Sequence, residues 1–254
     1  MTPRRVIIVA GIGNGTGIRA FSKELGYVVA LISRNEENLL NLAHEIKKNG
    51  GEAIHYTVPE YTFEAIVSAF AYFAQQLPQY EVRAALWNVT EAVRKPFLEM
   101  KKEDIQKMSD ADLVAGFGFA QEAIKIFKQN DVDEHGKRGF LAFTSATGAR
   151  RGSPNCTVSS PGKFALRGLS QSIAKEFHND EIHVSHIIVD GMILTERWKA
   201  VYGDEWYAKK ATEEKTLVMD ADHDFQAYLY LNQQDPSGWT WELDMRPSFE
   251  NWTW

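Results

Sequence analysis

Residues 4–18, RRVIIVAGIGNGTGI, hold an apolar run that leads directly into a glycine-rich segment. The run at 6–10 is continuous, which is typical of a parallel strand covered on both faces. The glycines that follow have the spacing G-x-x-x-G-x-G and are Gly11, Gly15 and Gly17. Such a turn lets backbone N–H groups approach a phosphate, and the helix after it points its positive dipole end at the anion. The stretch predicts a nucleotide-binding turn; the alternative is a plain flexible loop between two elements.

Apolar runs alternate with amphipathic helical patterns as far as residue 189. Strands are predicted at 6–10, 28–32, 53–58, 82–87, 139–144 and 182–189, and helices at 18–25, 36–48, 63–76, 102–128 and 159–177. Strands and helices that alternate over short connections indicate right-handed βαβ crossovers. We therefore predict an α/β fold with a doubly wound parallel sheet of about seven strands and helices on both faces. A ligand would then bind outside the carboxyl ends of the strands.

The remainder of the chain, 194–254, is richer in aromatic and acidic residues, and 239–244 could supply a seventh strand. The sequence shows no internal repeat, low-complexity tract or linker, so 1–254 is predicted to be one domain. Within it, 194–254 would form a substrate-side and C-terminal extension. We expect the tryptophans of 237–254 to pack over the mouth of the site or against a neighbouring subunit.

Composition excludes several classes of partner. The net charge of −6 offers no basic surface for nucleic acid or for an anionic membrane. No apolar run approaches the roughly 20 residues that span a bilayer, and the N-terminal run is better explained as the first strand than as a signal peptide. Cys156 is the single cysteine, which fits a reducing compartment, so we expect a cytoplasmic protein. The histidines lack metal-ligand spacing, and no metal is predicted.

Polar residues follow the predicted strands and lie in two of the helices. They are Asn88 after the fourth strand, Asp112 and Lys163 in the helices 102–128 and 159–177, Ser145 after the fifth strand, and Asp190-Gly191 with Thr195 after the sixth. Together with the glycine turn, this order resembles the short-chain dehydrogenase/reductase family as far as about Thr195. The resemblance implies a Rossmann-type fold. It also implies an oxidoreductase that transfers a hydride between a nicotinamide cofactor and a small carbonyl or alcohol substrate.

The resemblance implies a role for each matched residue. Ser145 would hold the substrate oxygen, Lys163 would be the active-site lysine, and Asp112 stands at the position of a structural and catalytic asparagine. The implied cofactor contacts are Gly11, Asn14, Gly15, Thr16, Gly17, Ile18, Asn88, Lys163, Gly191 and Thr195. The alternative for each residue is a purely structural role. Ser145 would only end a strand, Lys163 would lie on a helix surface, and Asp112 would form local hydrogen bonds. Relatives commonly assemble through helices equivalent to 102–128 and 159–177, so we expect a homodimer or homotetramer.

One position breaks the resemblance. In the family a tyrosine lies four residues before the lysine, on the same helix face, and protonates the developing alkoxide. Here that position is Ser159. An alkanol has a pKa near about 16 against about 10 for tyrosine, and this gap corresponds to roughly 8 kcal/mol. Further departures are Trp87-Asn88-Val89-Thr90 for the family's N-N-A-G, Asp112 for the asparagine, and Pro59 for an adenine-contacting aspartate.

The end of the second predicted strand bears on the cofactor. NAD-specific members of the family carry an acidic residue there, whereas this chain has Ser33 followed by Arg34. A hydroxyl and a guanidinium suit a 2′-phosphate, so NADP(H) is expected in preference to NAD(H); the alternative is a solvated surface arginine. Two functions follow: an NADP(H)-dependent oxidoreductase with Ser159 in place of the tyrosine, or a non-catalytic NADP(H)-binding sensor or scaffold.

Overall fold

The computed structural model describes residues 4–13, 18–91, 93–193, 199, 202–213, 218–219 and 221–247. Its strands are β1 (Arg5–Ala10), β2 (Val28–Ser33), β3 (Ala53–Thr57), β4 (Glu81–Trp87), β5 (Gly139–Ser145), β6 (Ile182–Val189), β7 (Met192–Ile193), β8 (Val218–Met219) and β9 (Glu242–Met245). Its α-helices are α1 (Arg19–Leu25), α2 (Glu36–Lys48), α3 (Phe63–Gln76), α4 (Lys102–Met108), α5 (Ala115–Phe127), α6 (Ser159–Phe177), α7 (Asp204–Glu213) and α8 (Ala221–Gln233).

Seven of these strands form one parallel sheet in the order β3-β2-β1-β4-β5-β6-β9, while β7 and β8 pair separately. From β1 the chain first adds β2 and β3 on one side. It then returns to the other side of β1 and adds β4, β5, β6 and finally β9. The predicted doubly wound, seven-stranded Rossmann-type sheet is confirmed. Because the strand order reverses between β1 and β4, a ligand crevice is expected at their carboxyl ends.

Apolar cores lie on both faces of the sheet, as the continuous apolar runs predict. Successive residues of β1 alternate between them: Ile8 belongs to the core under α3, α5 and α6, and Val9 to the core under α1, α2 and α8. Both side chains are almost fully buried. This two-sided burial holds the carboxyl end of β1 between the two apolar cores.

The region predicted as one helix at 102–128 is interrupted. Between α4 and α5 the structure has a π-helical segment, Ser109–Val114. Such wide turns within helices are often found at functional sites. This one carries Asp112, whose side chain is buried at 1% exposure.

The C-terminal tryptophans of the described part do not cover the carboxyl ends of the strands. Trp239 stacks on His183 with ring centroids 5.0 Å apart, and Trp241 lies beneath the guanidinium of Arg167. His183 is near the amino end of β6, and β9 begins after these tryptophans and pairs with β6 in parallel. This pair therefore does not close the mouth of the site, and the other alternative, packing against a neighbouring subunit, stays a prediction. Trp252 and Trp254 lie outside the described residues.

Within the ranges given above, no helix is both long and apolar enough to cross a membrane. The same ranges contain no cluster of three or more His, Cys, Asp or Glu side chains able to hold a metal ion.

Candidate active site

The turn after β1 crosses directly against the end of β4. The Asn88 side-chain amide donates to the Gly11 carbonyl at 2.9 Å, and the Asn88 backbone N–H donates to Ala10 at 2.8 Å. Gly11 has a φ of +91°, and a Cβ placed there would lie 2.4 Å from the backbone carbonyl of Asn88. Only glycine fits this crossing, since any side chain would meet both strain and overlap.

Replacing Gly11 with alanine is therefore expected to destabilise the protein by about 3 kcal/mol or more, combining positive-φ strain with overlap. Urea unfolding of the purified variant measures this. The matched control is Gly26→Ala, because Gly26 also has positive φ, at +66°, but a Cβ placed there would meet no atom within 4 Å. That control should cost only about 1 kcal/mol. Equal losses in the two variants would contradict the close approach of Gly11 and Asn88.

Several residues of the predicted cofactor set lie outside the described residues: Asn14, Gly15, Thr16, Gly17 and Thr195. Their roles stay predictions. Ile18 is described, is fully buried, and immediately precedes α1.

Lys163 and Asp112 meet inside the protein near the carboxyl ends of β4 and β5. The Lys163 ammonium donates to the Val89 carbonyl at 3.2 Å and lies 3.5 Å from Oδ2 of Asp112. The other carboxyl oxygen of Asp112 accepts from the Glu91 backbone N–H at 2.7 Å. Burial raises the pKa of the Asp112 carboxyl, although the Lys163 charge and the Glu91 amide act in the opposite direction. The structure thus places a buried lysine–carboxylate pair where the family resemblance implies lysine and a neutral amide.

The two serines of the predicted site differ in their bonding. Ser159 is the first residue of α6, and its hydroxyl donates to the Val93 carbonyl at 2.8 Å. Ser145 ends β5 with its hydroxyl buried and, within the described part of the chain, without a hydrogen-bond partner. Ser159 therefore directs its proton to the backbone, whereas the Ser145 hydroxyl has bonding capacity left for a ligand.

The short 3₁₀ turn after β5 brings this strand end close to Lys163. A Cβ placed on Gly148 in that turn would lie 3.7 Å from Cγ of Lys163. Thr147, in the same turn, also has a buried hydroxyl that finds no partner among the described residues. Buried hydroxyls with no partner beside a buried cation are typical of a ligand site.

The end of β2 differs from its predicted role in one respect. The Ser33 hydroxyl is buried, donates to the Ile12 carbonyl at 3.2 Å and accepts from the Asn35 N–H at 3.4 Å. Arg34 is more exposed; it bonds Glu91 at 2.8 Å and lies 5.1 Å above the Tyr61 ring. Because Ser33 is bonded within the protein, the proposed phosphate recognition rests on Arg34.

The turn Asp190-Gly191 follows β6, where the family resemblance implies proline and glycine. Asp190 forms an ion pair with the buried guanidinium of Arg246, which also bonds Asp244 at 2.8 Å. Gly191 is described and partly buried. Arg246 thus ties this turn to the end of β9.

Sequence reasoning missed three contributors to this site: Glu91, Tyr61 and Arg246. Glu91 and Tyr61 each follow a strand that ends at the site edge, so their positions after β4 and β3 were the available signal. For Arg246 the signal was weaker, since it depends on β9 pairing with β6.

The short chain dehydrogenase family model matches residues 5–206. The chain therefore belongs to the short chain dehydrogenase family, a family of oxidoreductases, and the resemblance inferred from the motifs is confirmed.

Individual relatives agree with this assignment. L-2,3-butanediol dehydrogenase of Corynebacterium glutamicum is 25% identical over 191 residues, which are 75% of this chain and 71% of that protein. The solved structure of a short-chain dehydrogenase from Rhodopseudomonas palustris has a TM-score of 0.77 at 26% identity, covering 96% of this chain and 100% of that one. An alcohol dehydrogenase from the archaeon Thermococcus sibiricus, complexed with 5-hydroxy-NADP, has a TM-score of 0.80, with 99% and 100% covered. Its 17% identity shows the shared fold alone.

Proposed function

We propose that this protein is an oxidoreductase that transfers a hydride between NADP(H) and a small carbonyl or alcohol substrate. The observation that carries the proposal is the buried Lys163, held between Val89 and Asp112, at the end of β5, where the turn that follows packs against Lys163. The Ser145 hydroxyl at this strand end has no partner among the described residues. A buried cation and a free hydroxyl donor at one strand end are suited to a carbonyl oxygen that becomes negatively charged. Membership of the short chain dehydrogenase family supports the same reaction class.

The described residues fit a nicotinamide dinucleotide. Gly11 and Asn88 form a tight crossing at the point where the strand order reverses, and the hydroxyls of Ser145 and Thr147 have no protein partner in the described ranges. Arg34 provides a guanidinium at the end of β2 for a 2′-phosphate, which favours NADP(H) over NAD(H). Membership of the short chain dehydrogenase family supports a nicotinamide cofactor.

When bound, the nicotinamide cofactor would supply or accept the hydride. Ser145 would donate a hydrogen bond to the substrate oxygen. The proton that the tyrosine gives elsewhere in the family would come from the Lys163 ammonium through a water held by Ser145, Ser159 and Lys163. Ser159 serves that water as an acceptor, because its own proton is donated to Val93. Lys163 then recovers a proton from solvent.

One specific observation favours the second function, a non-catalytic NADP(H)-binding sensor or scaffold. The residue at the tyrosine position has no acidic group of suitable pKa, and its hydroxyl is turned to the backbone. Two measurements on the wild type separate the functions: NADPH binding by fluorescence, and NADPH oxidation with a panel of small aldehydes and ketones. The oxidoreductase proposal expects binding and slow turnover. Binding with no turnover on any member of the panel would favour the sensor, and failure to bind either dinucleotide would exclude both.

The choice of cofactor is tested at Arg34. Arg34→Gln is expected to weaken NADPH binding by roughly 10- to 100-fold, because a charge-assisted hydrogen bond contributes about 1.5–3 kcal/mol. NADH binding should change less than about threefold, since NADH lacks the 2′-phosphate. Fluorescence titration of both cofactors measures this, with NADH as the internal control. Equal weakening of the two cofactors would show that Arg34 acts on the fold and does not recognise the phosphate.

We further propose a cytoplasmic homodimer or homotetramer that acts on a small molecule and binds neither nucleic acid nor membrane. Apolar side chains on the two helical regions named for assembly support the oligomer: Val114 and Phe117 are 41% and 44% exposed, and Phe164 on α6 is 45% exposed. The net charge of −6 supports the absence of nucleic-acid binding. Residues 194–254 remain proposed as the substrate-side extension of a single domain.

A further inference from the structure

Glu91 occupies an unusual place beside the proposed phosphate-binding arginine. One of its carboxyl oxygens accepts from Arg34 at 2.8 Å, and the other lies 3.2 Å from the ammonium of Lys107. The Glu91 side chain is only 13% exposed, while those of Arg34 and Lys107 are 38% and 60% exposed. A carboxylate largely removed from solvent is thus held between two cations at the edge of the site.

This contact places Glu91 in competition with a phosphate. A guanidinium binds a carboxylate and a phosphate through the same N–H groups, in similar geometry. In this structure the Nη1 group of Arg34 already donates to Glu91, and Tyr61 packs under the guanidinium at 5.1 Å. For Arg34 to engage a 2′-phosphate through Nη1, it has to give up this carboxylate.

We propose that Glu91 is a cofactor-specificity residue that lowers the preference for NADP(H) by competing with the 2′-phosphate for Arg34. The inference rests on the proposed function and deepens its cofactor assignment. NAD(H) carries no group that needs Arg34, so its binding leaves the Arg34–Glu91 pair intact. The ratio of the two affinities therefore depends on how tightly Glu91 holds Arg34.

Lys107 makes this exchange feasible. When Arg34 turns to a phosphate, Glu91 keeps the ammonium of Lys107 as a partner at 3.2 Å. The partly buried carboxylate is then not left unpaired, which would carry a larger penalty. Glu91 also stays in place through its backbone, because its N–H donates to Asp112 independently of its side chain.

The experiment compares the ratio of the NADH and NADPH dissociation constants in matched variants. Glu91→Gln keeps the size and the backbone of the residue and removes its charge. Glu176→Gln is the control: it removes one acidic charge from an exposed position near the carboxyl end of α6, away from the carboxyl ends of the strands. Both variants are repeated in an Arg34→Gln background. Using the ratio cancels any loss of folded protein, because both cofactors are titrated on the same sample.

We expect Glu91→Gln to tighten NADPH binding about two- to fivefold, the range for a partly exposed ion pair, and to leave NADH binding within experimental error. Glu176→Gln should leave the ratio unchanged, and Glu91→Gln should have no effect once Arg34 is glutamine. The proposal is wrong if Glu91→Gln leaves the ratio of the two dissociation constants unchanged. It is also wrong if Glu91→Gln shifts this ratio by the same factor in the Arg34→Gln background. If the wild type binds NADPH and NADH but the ratio does not move, this inference alone fails. If it binds neither cofactor, the proposed function fails with it.

Discussion

Replacing Lys163 with methionine is expected to lower turnover by at least about 100-fold and the free energy of unfolding by about 3 kcal/mol. Lys163 is buried at 7% exposure, and its ammonium lies 3.5 Å from a carboxyl oxygen of Asp112, which is 1% exposed. Removing one member of a buried ion pair leaves the other charge uncompensated in a medium of low polarity, which typically costs about 3–5 kcal/mol. The loss in activity should be at least about 100-fold, the lower range for removal of a general acid.

The stability loss should depend on pH in a direction set by Asp112. Burial already raises the pKa of this carboxyl in the presence of Lys163. A carboxyl whose pKa is higher in the folded state than in the unfolded state favours folding when protonated, and that stability is lost as pH rises through the folded pKa. Without the Lys163 charge this effect grows. Urea unfolding of Lys163→Met should therefore show a smaller deficit near pH 4.5 than near pH 8.

Two controls make this prediction specific. Adding Asp112→Asn to the methionine variant removes the uncompensated carboxylate, so it should restore most of the stability at pH 8 while leaving turnover as low as in the single variant. Lys175→Met, at an exposed position on the same helix, should change neither property. If the double variant is no more stable than the single one, then Asp112 and Lys163 do not act as a pair.

The order of the elements could be predicted because the five central strands of this sheet are largely buried on both faces. A strand such as β1 has no polar face, so it forms a continuous apolar run that ends abruptly at glycine. The helices could be predicted because their apolar residues recur at helical spacing and so mark the side that is buried. The interruption at Ser109–Val114 was not predicted, because the apolar residues of 102–128 were interpreted as one helical pattern.

The residue types of the site could also be predicted from their positions after the strands, but their partners could not. Ser159 donates to Val93, which is 66 residues away in the sequence. Asp190 pairs with Arg246 across 56 residues. Each contact needs the sheet to be assembled first. For the same reason the sequence could predict Arg34 as a phosphate ligand without showing that Glu91 holds it.

Restoring the phenol by Ser159→Tyr is expected to increase turnover of the best carbonyl substrate by about 100-fold or more, as general acid catalysis typically contributes 10²–10⁴-fold. The gain is expected because the tyrosine hydroxyl would supply a proton donor that serine does not. Ser159 lies one helical turn before Lys163, and its hydroxyl hydrogen is directed to the Val93 carbonyl. A tyrosine ring cannot keep that short contact, so its hydroxyl would extend past Val93 into the space in front of Lys163. There the ammonium would stabilise the phenolate.

Ser159→Phe is the matched control, because it adds the same ring without the hydroxyl. If the gain comes from proton donation, the phenylalanine variant stays at or below the wild-type rate while it binds NADPH with similar affinity. The rate of Ser159→Tyr should then show a pH dependence that is absent from the wild type, since a titrating phenol has entered the reaction. Equal rates for the tyrosine and phenylalanine variants would mean that filling the space, rather than donating a proton, limits the reaction. If the wild type shows no turnover and the tyrosine variant is active, the natural protein would be assigned to cofactor binding alone. The missing tyrosine would then be what prevents catalysis.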